Sequence, residues 1–280
     1  MSGRAGWIER TAPLPRLAVH LRELPSPGPA LVLLHGLGVD GGIWQAVGRR
    51  LSPAFSLVAA DLRGHGFSEH PVSGYHARDY AADIAELLEH LAGEYGTLFL
   101  LGHSLGALAA LGGAALNPPA VQRLVLEDPP LSGPGPLAPY LSAVLVAKHQ
   151  SPAALLQTIQ VFQPELGALV ANIQAGMWQR TADAALQAIL EAPATVFDID
   201  GWLEHVTAPT LLMAADPAKD ARLRPAEASA ALLRLCQGRL VEFPGAGHVI
   251  HGQRVAEFCR IVSEFLLTHL AESGSQDRAR

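Results

Sequence analysis

The sequence predicts an α/β chain with a doubly wound, mostly parallel sheet, on three observations. Short apolar runs recur along the chain, each stopping at a turn rich in Gly, Asp or Pro. Most of these runs are apolar at consecutive rather than alternate positions, as strands buried on both faces require. Helix-period stretches lie between them, and strands that alternate with helices form parallel sheets through crossover connections. Hydrophobic residues make up 49% of the 280-residue chain, which suits one sizeable core and excludes a disordered protein.

In chain order, the first 28 residues read as a strand-and-turn lead-in. Strands are then expected within 30–36 (ALVLLHG), 55–66 (FSLVAADLRGHG), 97–106 (TLFLLGHSLG), 121–130 (VQRLVLEDPP), 208–217 (APTLLMAADP) and 238–248 (GRLVEFPGAGH). A helix is expected over 78–96, where apolar residues fall at 3–4 spacing before Gly96. Residues 105–116 read as a second, Gly/Ala-rich and buried helix, closed by Asn117-Pro118-Pro119. The rhythm breaks after Asp128, where PPLSGPGPLAP admits no regular element. Helical stretches over 138–149, 151–163, 165–180 and 182–192 follow, with no strand until 208. Residues 129–203 are therefore expected to form a helical cap inserted after the sixth strand, on a core made of 1–128 and 204–280. Ligands of open α/β sheets bind at the carboxyl ends of strands, where this insertion starts. The polar tail, 272–280, is expected to fray.

Composition narrows the partners. Only 16% of residues are charged, and the formal net charge is −6. Phosphate backbones call for clustered Lys and Arg, so nucleic acid is excluded as a partner. So few charges imply apolar surface that lines a pocket or cap. Cys236 and Cys259 make no disulfide framework and have no metal-binding spacing, so no metal is expected. No apolar leader opens the sequence and no stretch reaches membrane-spanning length, so a cytoplasmic chain is expected.

The chemistry concentrates in three loops. Gly102-His103-Ser104-Leu105-Gly106 follows a buried strand and opens a helix, the context that a nucleophile elbow needs. The glycines permit a sharp turn, Ser104 is presented as nucleophile, and the helix N-terminus aims amides at a developing oxyanion. His35-Gly36-Leu37-Gly38 ends an earlier strand, so the amides of Leu37 and Leu105 are expected to form the oxyanion hole, with His35 bracing the loop. Gly245-Ala246-Gly247-His248 follows the last strand and supplies His248 as general base. Of the 12 histidines, His251 is the main rival, and is expected to pack at the start of the final helix.

With HGLG (35–38), DLRGHGFSEHP (61–71), GHSLG (102–106), PTLLMAADP (209–217) and GAGHVIH (245–251) in this order, the chain resembles enzymes of the α/β-hydrolase fold over nearly its whole length. The resemblance implies hydrolysis of an ester, thioester, lactone or related bond by a Ser-His-acid triad, without a cofactor. It implies a loop-bracing role for Asp61 and Arg63. A serine nucleophile argues against dehalogenase and epoxide-hydrolase chemistry, which need a carboxylate. Carbon–carbon bond hydrolysis, perhydrolysis and a low-turnover ligand sensor stay open on the same triad.

The acid departs from the family's usual pattern. The G-x-x-D position after the strand at 209–214 holds Ala218, with Asp216 two residues early and Asp220 two late. A minority of the family, zearalenone-lactonase-like hydrolases among them, carries the acid at the end of the preceding strand, at the offset that Asp128 has from Ser104. Asp128 is preferred and Asp216 is the alternative; Glu127 and Asp220 are further candidates. Leu131, Phe162, Met177 and Trp178 are expected to wall a pocket for a small, mostly apolar ester or lactone. The oligomeric state stays open.

Overall fold

The computed structural model describes residues 6–276 other than 134 and 200. Its centre is an eight-stranded sheet with the order β1-β2-β4-β3-β5-β6-β7-β8. The strands are β1 (Ile8–Pro13), β2 (Ala18–Leu24), β3 (Ala30–Leu34), β4 (Ser56–Ala60), β5 (Leu98–His103), β6 (Val121–Glu127), β7 (Thr210–Ala215) and β8 (Gly238–Phe243). The lead-in supplies β1 and β2, which pair antiparallel with each other, and β2 pairs antiparallel with β4. All other pairings are parallel. Every residue of β3, β4, β5 and β7 is buried, as the unbroken apolar runs require. The strands end earlier than those runs do: β4 stops at Ala60, and the Asp61 side chain beyond it serves the next loop as a hydrogen-bond acceptor.

Helices cover both faces. They comprise α1 (Gln45–Leu51), α2 (Ala77–Tyr95), α3 (Leu105–Leu116), then α4 (Ala138–Gln150), α5 (Pro152–Phe162), α6 (Ala168–Gln179), α7 (Asp183–Glu191), α8 (Pro193–Val196) and α9 (Trp202–His205). After β7 come α10 (Pro225–Arg234), α11 (Ile250–Gln253) and α12 (Val255–Gln276). Helix α12 runs into the tail that the sequence expected to fray; residues 277–280 lie outside those described. One core cluster joins α2, α3 and the segment between β6 and β7, and a second gathers α1 and α12 around Trp44, Phe99 and Phe258. Each large apolar side chain fully buried in these clusters contributes about 1.5–3 kcal/mol.

Strand order sets where a site forms. The chain steps from β3 to β4, then returns to lay β5 on the other side of β3. This reversal makes the carboxyl ends of β3 and β5 the topological switch point, where open α/β sheets bind ligands. The register pairs Leu34 with Gly102, so the loops carrying Gly36 and Ser104 leave the sheet at one level. Between β6 and β7 the described residues form helices α4 to α9 and no strand. This helical segment rests on the switch-point loops. A Cβ on Gly38 would lie 2.2 Å from the Trp178 ring, Arg180 Nη2 bonds Asp40 Oδ2 at 2.6 Å, and Ala182 N–H donates to Gly64 O at 2.7 Å.

The elbow depends on glycine. A Cβ on Gly106 would stand 2.4 Å from His35 O, and one on Gly102 would stand 2.2 Å from Gly106 O. Both obstacles are backbone and cannot step aside. Gly106→Ala should therefore lower stability by about 1–3 kcal/mol in urea unfolding, whereas Gly93→Ala, with nothing within 4 Å of the new methyl, should not.

Candidate active site

Ser104 sits between β5 and α3 with φ 54° and ψ −118°. Among the described residues only Ser104 and Asp128 combine a side chain with positive φ, and strain of this kind persists where surroundings over-determine it. Ser104 N–H donates to Glu127 O at 3.0 Å, which holds the turn against β6. A Cβ on Gly36 would lie 3.3 Å from Ser104 Cβ, so the glycine loop passes directly beside the serine. Leu37 and Leu105 flank that approach, Leu105 as the first residue of α3, whose opening amides have no partner within the helix. The side chain of Ser104 stays half-exposed.

Four carboxylates were candidates for the acid, and all four bond to the loop around His248. Asp128 Oδ2 lies 2.6 Å from His248 Nδ1. Asp216 instead accepts Ala218 N–H at 2.8 Å and Gly245 N–H at 2.6 Å. Asp220 accepts the His248 N–H at 2.8 Å. Glu127 accepts from His251, at 2.8 Å from its N–H and 2.9 Å from Nδ1. One carboxylate thus meets the ring of His248, and three fix the loop that carries it. Asp128 is fully buried and also accepts the N–H groups of Ala215 (3.2 Å), Arg222 (2.7 Å) and Leu223 (3.1 Å), so both its oxygens are satisfied. The Asp216 carboxyl is held below its usual range by the Ala218 and Gly245 amides.

The neighbouring loops are braced by residues of the DLRGHG stretch. His35 Nε2 accepts Leu62 N–H at 2.9 Å, and its Nδ1 lies 2.7 Å from Gly36 O. Asp61 accepts Gly41 N–H at 2.7 Å and Phe67 N–H at 2.9 Å, and meets His20 Nδ1 at 2.9 Å. Arg63 grips the buried Asp83 with Nε and Nη2. Sequence reasoning missed Asp40 and Arg180. Asp40 caps the 3-10 turn Gly41–Trp44, and an Asp placed before Gly-Gly in a loop is the available signal for such a cap.

The expected wall residues separate. Trp178 is buried against Gly38, with its ring 5.7 Å from that of Tyr140. The Met177 methyl lies 3.3 Å from where a Gly42 Cβ would stand. Phe162 is 44% exposed and stacks 5.2 Å from Tyr140. Leu131 lines a cleft of about 640 Å³ with Phe197, Ile199 and Leu203, and neither Ser104, Asp128 nor His248 borders that cleft. Among the described residues, His103, Glu127 and His251 could offer a metal ion ligand atoms within 4.8 Å of one another. Glu127 is already taken there by two donors from His251, so an ion would have to displace them.

A serine with positive φ, a carboxylate–imidazole pair and a glycine loop thus lie together at one switch point of the α/β sheet. The chain belongs to the alpha/beta hydrolase family, whose model matches residues 31–261. It is similar to the 2-(acetamidomethylene)succinate hydrolase of Mesorhizobium japonicum, 32% identical over 65% of this chain and 63% of that protein. It also resembles the N-formylmaleamate deformylase of Pseudomonas putida, 39% identical over 41% of this chain and 43% of that protein. The matches thus span less than two thirds of these curated relatives. A crystal structure of E-2-(acetamidomethylene)succinate hydrolase superposes with TM-score 0.77 at 25% identity, covering 93% of this chain and 99% of that one. No helix among the described residues is long and apolar enough to cross a membrane.

Acid should unfold the protein through its buried histidines. Burial pushes His35, His65 and His103 down, His65 to about 3 with His35 adding to the effect. The unfolded chain binds protons on these residues below about pH 6.5, and the folded chain does not until far lower. Their stabilisation is complete above pH ~6.5 and is lost as pH falls, for His65 down to about 3, by up to about 1.4 kcal/mol per pH unit for each group still unprotonated in the folded chain. Asp61 acts in the same sense at lower pH. Burial alone would raise it, yet His20 and the amides of Phe67 and Gly41 hold it at about 2. Urea midpoints should therefore fall continuously from pH 7 to 4.5, and His65→Asn should flatten that slope by about one proton.

Proposed function

We propose that this hydrolase cleaves a carboxylic ester or lactone through an acyl-enzyme, with Ser104 as nucleophile, His248 as general base and Asp128 as the orienting acid. The observation that carries the reading is the 2.6 Å bond from His248 Nδ1 to the fully buried Asp128. That bond fixes the tautomer in which Nδ1 holds the proton and Nε2 is the base. Ser104 Oγ attacks the carbonyl carbon while Nε2 takes its proton, and the tetrahedral oxyanion is held by the amides of Leu37 and Leu105. The imidazolium gives its proton to the departing alkoxide, the acyl group stays on Ser104, and water activated by His248 releases the acid.

Residues 129–203 act in this reading as a cap that sets substrate choice. The support is Trp178 against Gly38, with Met177 and the Arg180–Asp40 pair beside it. The apolar Trp178 and Met177 side chains suit a mostly apolar substrate body and keep bulk water from the acyl-enzyme. The relatives' substrates add 2-(acetamidomethylene)succinate and N-formylmaleamate to the panel that should be tried beside p-nitrophenyl esters and lactones. Fluorophosphonate labelling with multiple turnovers on any of these supports the enzyme; labelling without turnover would favour a ligand sensor.

Ser104→Ala and His248→Ala should each lower kcat by about 10⁴–10⁶ with unchanged circular dichroism; activity above a tenth of wild type would remove the residue from its role. Asp128→Asn should cost about 10⁴ in kcat, and Asp216→Asn far less, because Asp216 bonds only backbone amides of its own turn and of Gly245. Trp178→Ala should alter the preference between long-chain and acetate esters by about tenfold, the worth of one buried side chain against ligand. Equal losses on both esters would assign Trp178 to folding alone.

A further inference from the structure

We infer that Glu127, acting through His251 and together with His103, is a positioning unit for His248: a second carboxylate–imidazole pair, buried beside the first, that holds the backbone of the general base where Asp128 holds its ring. The inference rests on the reading of His248 as the base. Glu127 and Asp128 are consecutive at the carboxyl end of β6, and both are fully buried. Each meets the Nδ1 of one histidine from the same loop, Asp128 that of His248 at 2.6 Å and Glu127 that of His251 at 2.9 Å. Glu127 also accepts the His251 N–H at 2.8 Å, so both the ring and the main chain of residue 251 are tied to the strand end.

The surroundings make this pair expensive for a mere filler. The His251 ring lies 4.5 Å from Trp44 and 6.0 Å from Phe258, two members of the apolar cluster that gathers α1 and α12. An apolar side chain would fill such a place without the cost of desolvating a carboxylate. What the pair supplies instead is direction, since two bonds to one carboxylate fix the turn from 248 to 251 as packing alone does not. His103 links the two pairs. Its ring lies 4.6 Å from His248 and 5.1 Å from His251. Burial first, and then the neighbouring imidazoles, keep it neutral. Its Nε2–H donates to the His248 carbonyl O at 3.1 Å, while Nδ1 has no protein partner and is near the open side of Gly36. His248 is thereby held at its ring by Asp128, at its N–H by Asp220 and at its C=O by His103, with Glu127 securing the turn beyond.

The test uses substitutions that separate hydrogen bonding from packing. His251→Asn keeps a donor where Nδ1 stood, and His251→Leu keeps apolar volume without the donor. A positioning role predicts that His251→Asn retains kcat within about threefold, while His251→Leu and Glu127→Gln each lose about tenfold or more with KM unchanged, the scale expected for a displaced catalytic group. The double variant Glu127→Gln/His251→Leu should lose no more than either alone, because the two residues act as one unit. The downfield proton resonance of the His248–Asp128 bond should shift or broaden in His251→Leu and stay in place in His251→Asn. If His251→Leu matches or exceeds His251→Asn in kcat, with that resonance unmoved, the pair is packing and the inference is overturned. If Ser104→Ala or His248→Ala keeps its activity, the failure belongs to the triad reading instead. Should Glu127→Gln not fold, the two His251 variants decide the question between them.

Discussion

The buried carboxylate of Asp128 is the constraint on which the rest of the site depends. An unpaired charge at full burial costs several kcal/mol, so donors must converge on it. They come from the end of β7 at Ala215, from the following loop at Arg222 and Leu223, and from the turn after β8 at His248. The oxygens of this one residue thus gather three separate stretches of chain over the carboxyl edge of the sheet. Asp128 is itself in the left-handed region and is followed by two prolines, so its backbone has little freedom to leave. Ser104, one strand away, is held just as tightly: its N–H is bonded to Glu127 O, and its turn is closed by glycines on which a Cβ would meet backbone. Two strained positions on neighbouring strands are therefore fixed relative to each other before any ligand arrives, which is the sense in which such a site is preorganised.

The helical segment is coupled to this edge through a few specific contacts. Trp178 covers Gly38, Arg180 neutralises the buried Asp40, and Ala182 bonds Gly64. The first two fall on the loop expected to supply an oxyanion amide. The Gly38–Asp40 backbone is thereby packed against the end of helix α6.

Much of the fold was legible because buried parallel strands are apolar at nearly every position, and all six such runs contain a strand, although β8 proves to be an edge strand left mostly exposed rather than buried. The four helices of the segment after β6 were equally plain, since a Pro/Gly-rich entry and the absence of any further strand signal set them apart. The acid was not legible from local sequence: Asp128 was preferred among four carboxylates on the offset that the family resemblance implies, and its 2.6 Å contact with His248 Nδ1 needed coordinates. Other features needed coordinates. Helical periodicity says that α5 and α6 exist but not how they are rotated, so Phe162 and Trp178 looked alike on paper; one is half in solvent and the other is pressed onto Gly38. Leu131 follows Asp128 closely, yet the turn directs it into a neighbouring cleft. The bond between Glu127 and His251 crosses 124 positions of sequence, and nothing local in either residue announces it.

The most direct test of the central claim is to acid-quench the reaction with p-nitrophenyl acetate in its first turnovers and locate the acyl group by peptide mass. The account predicts a burst of p-nitrophenolate of about one per enzyme and an acetyl group on Ser104, absent when His248 is alanine. Turnover with no covalent adduct, or an adduct on another residue, would contradict it.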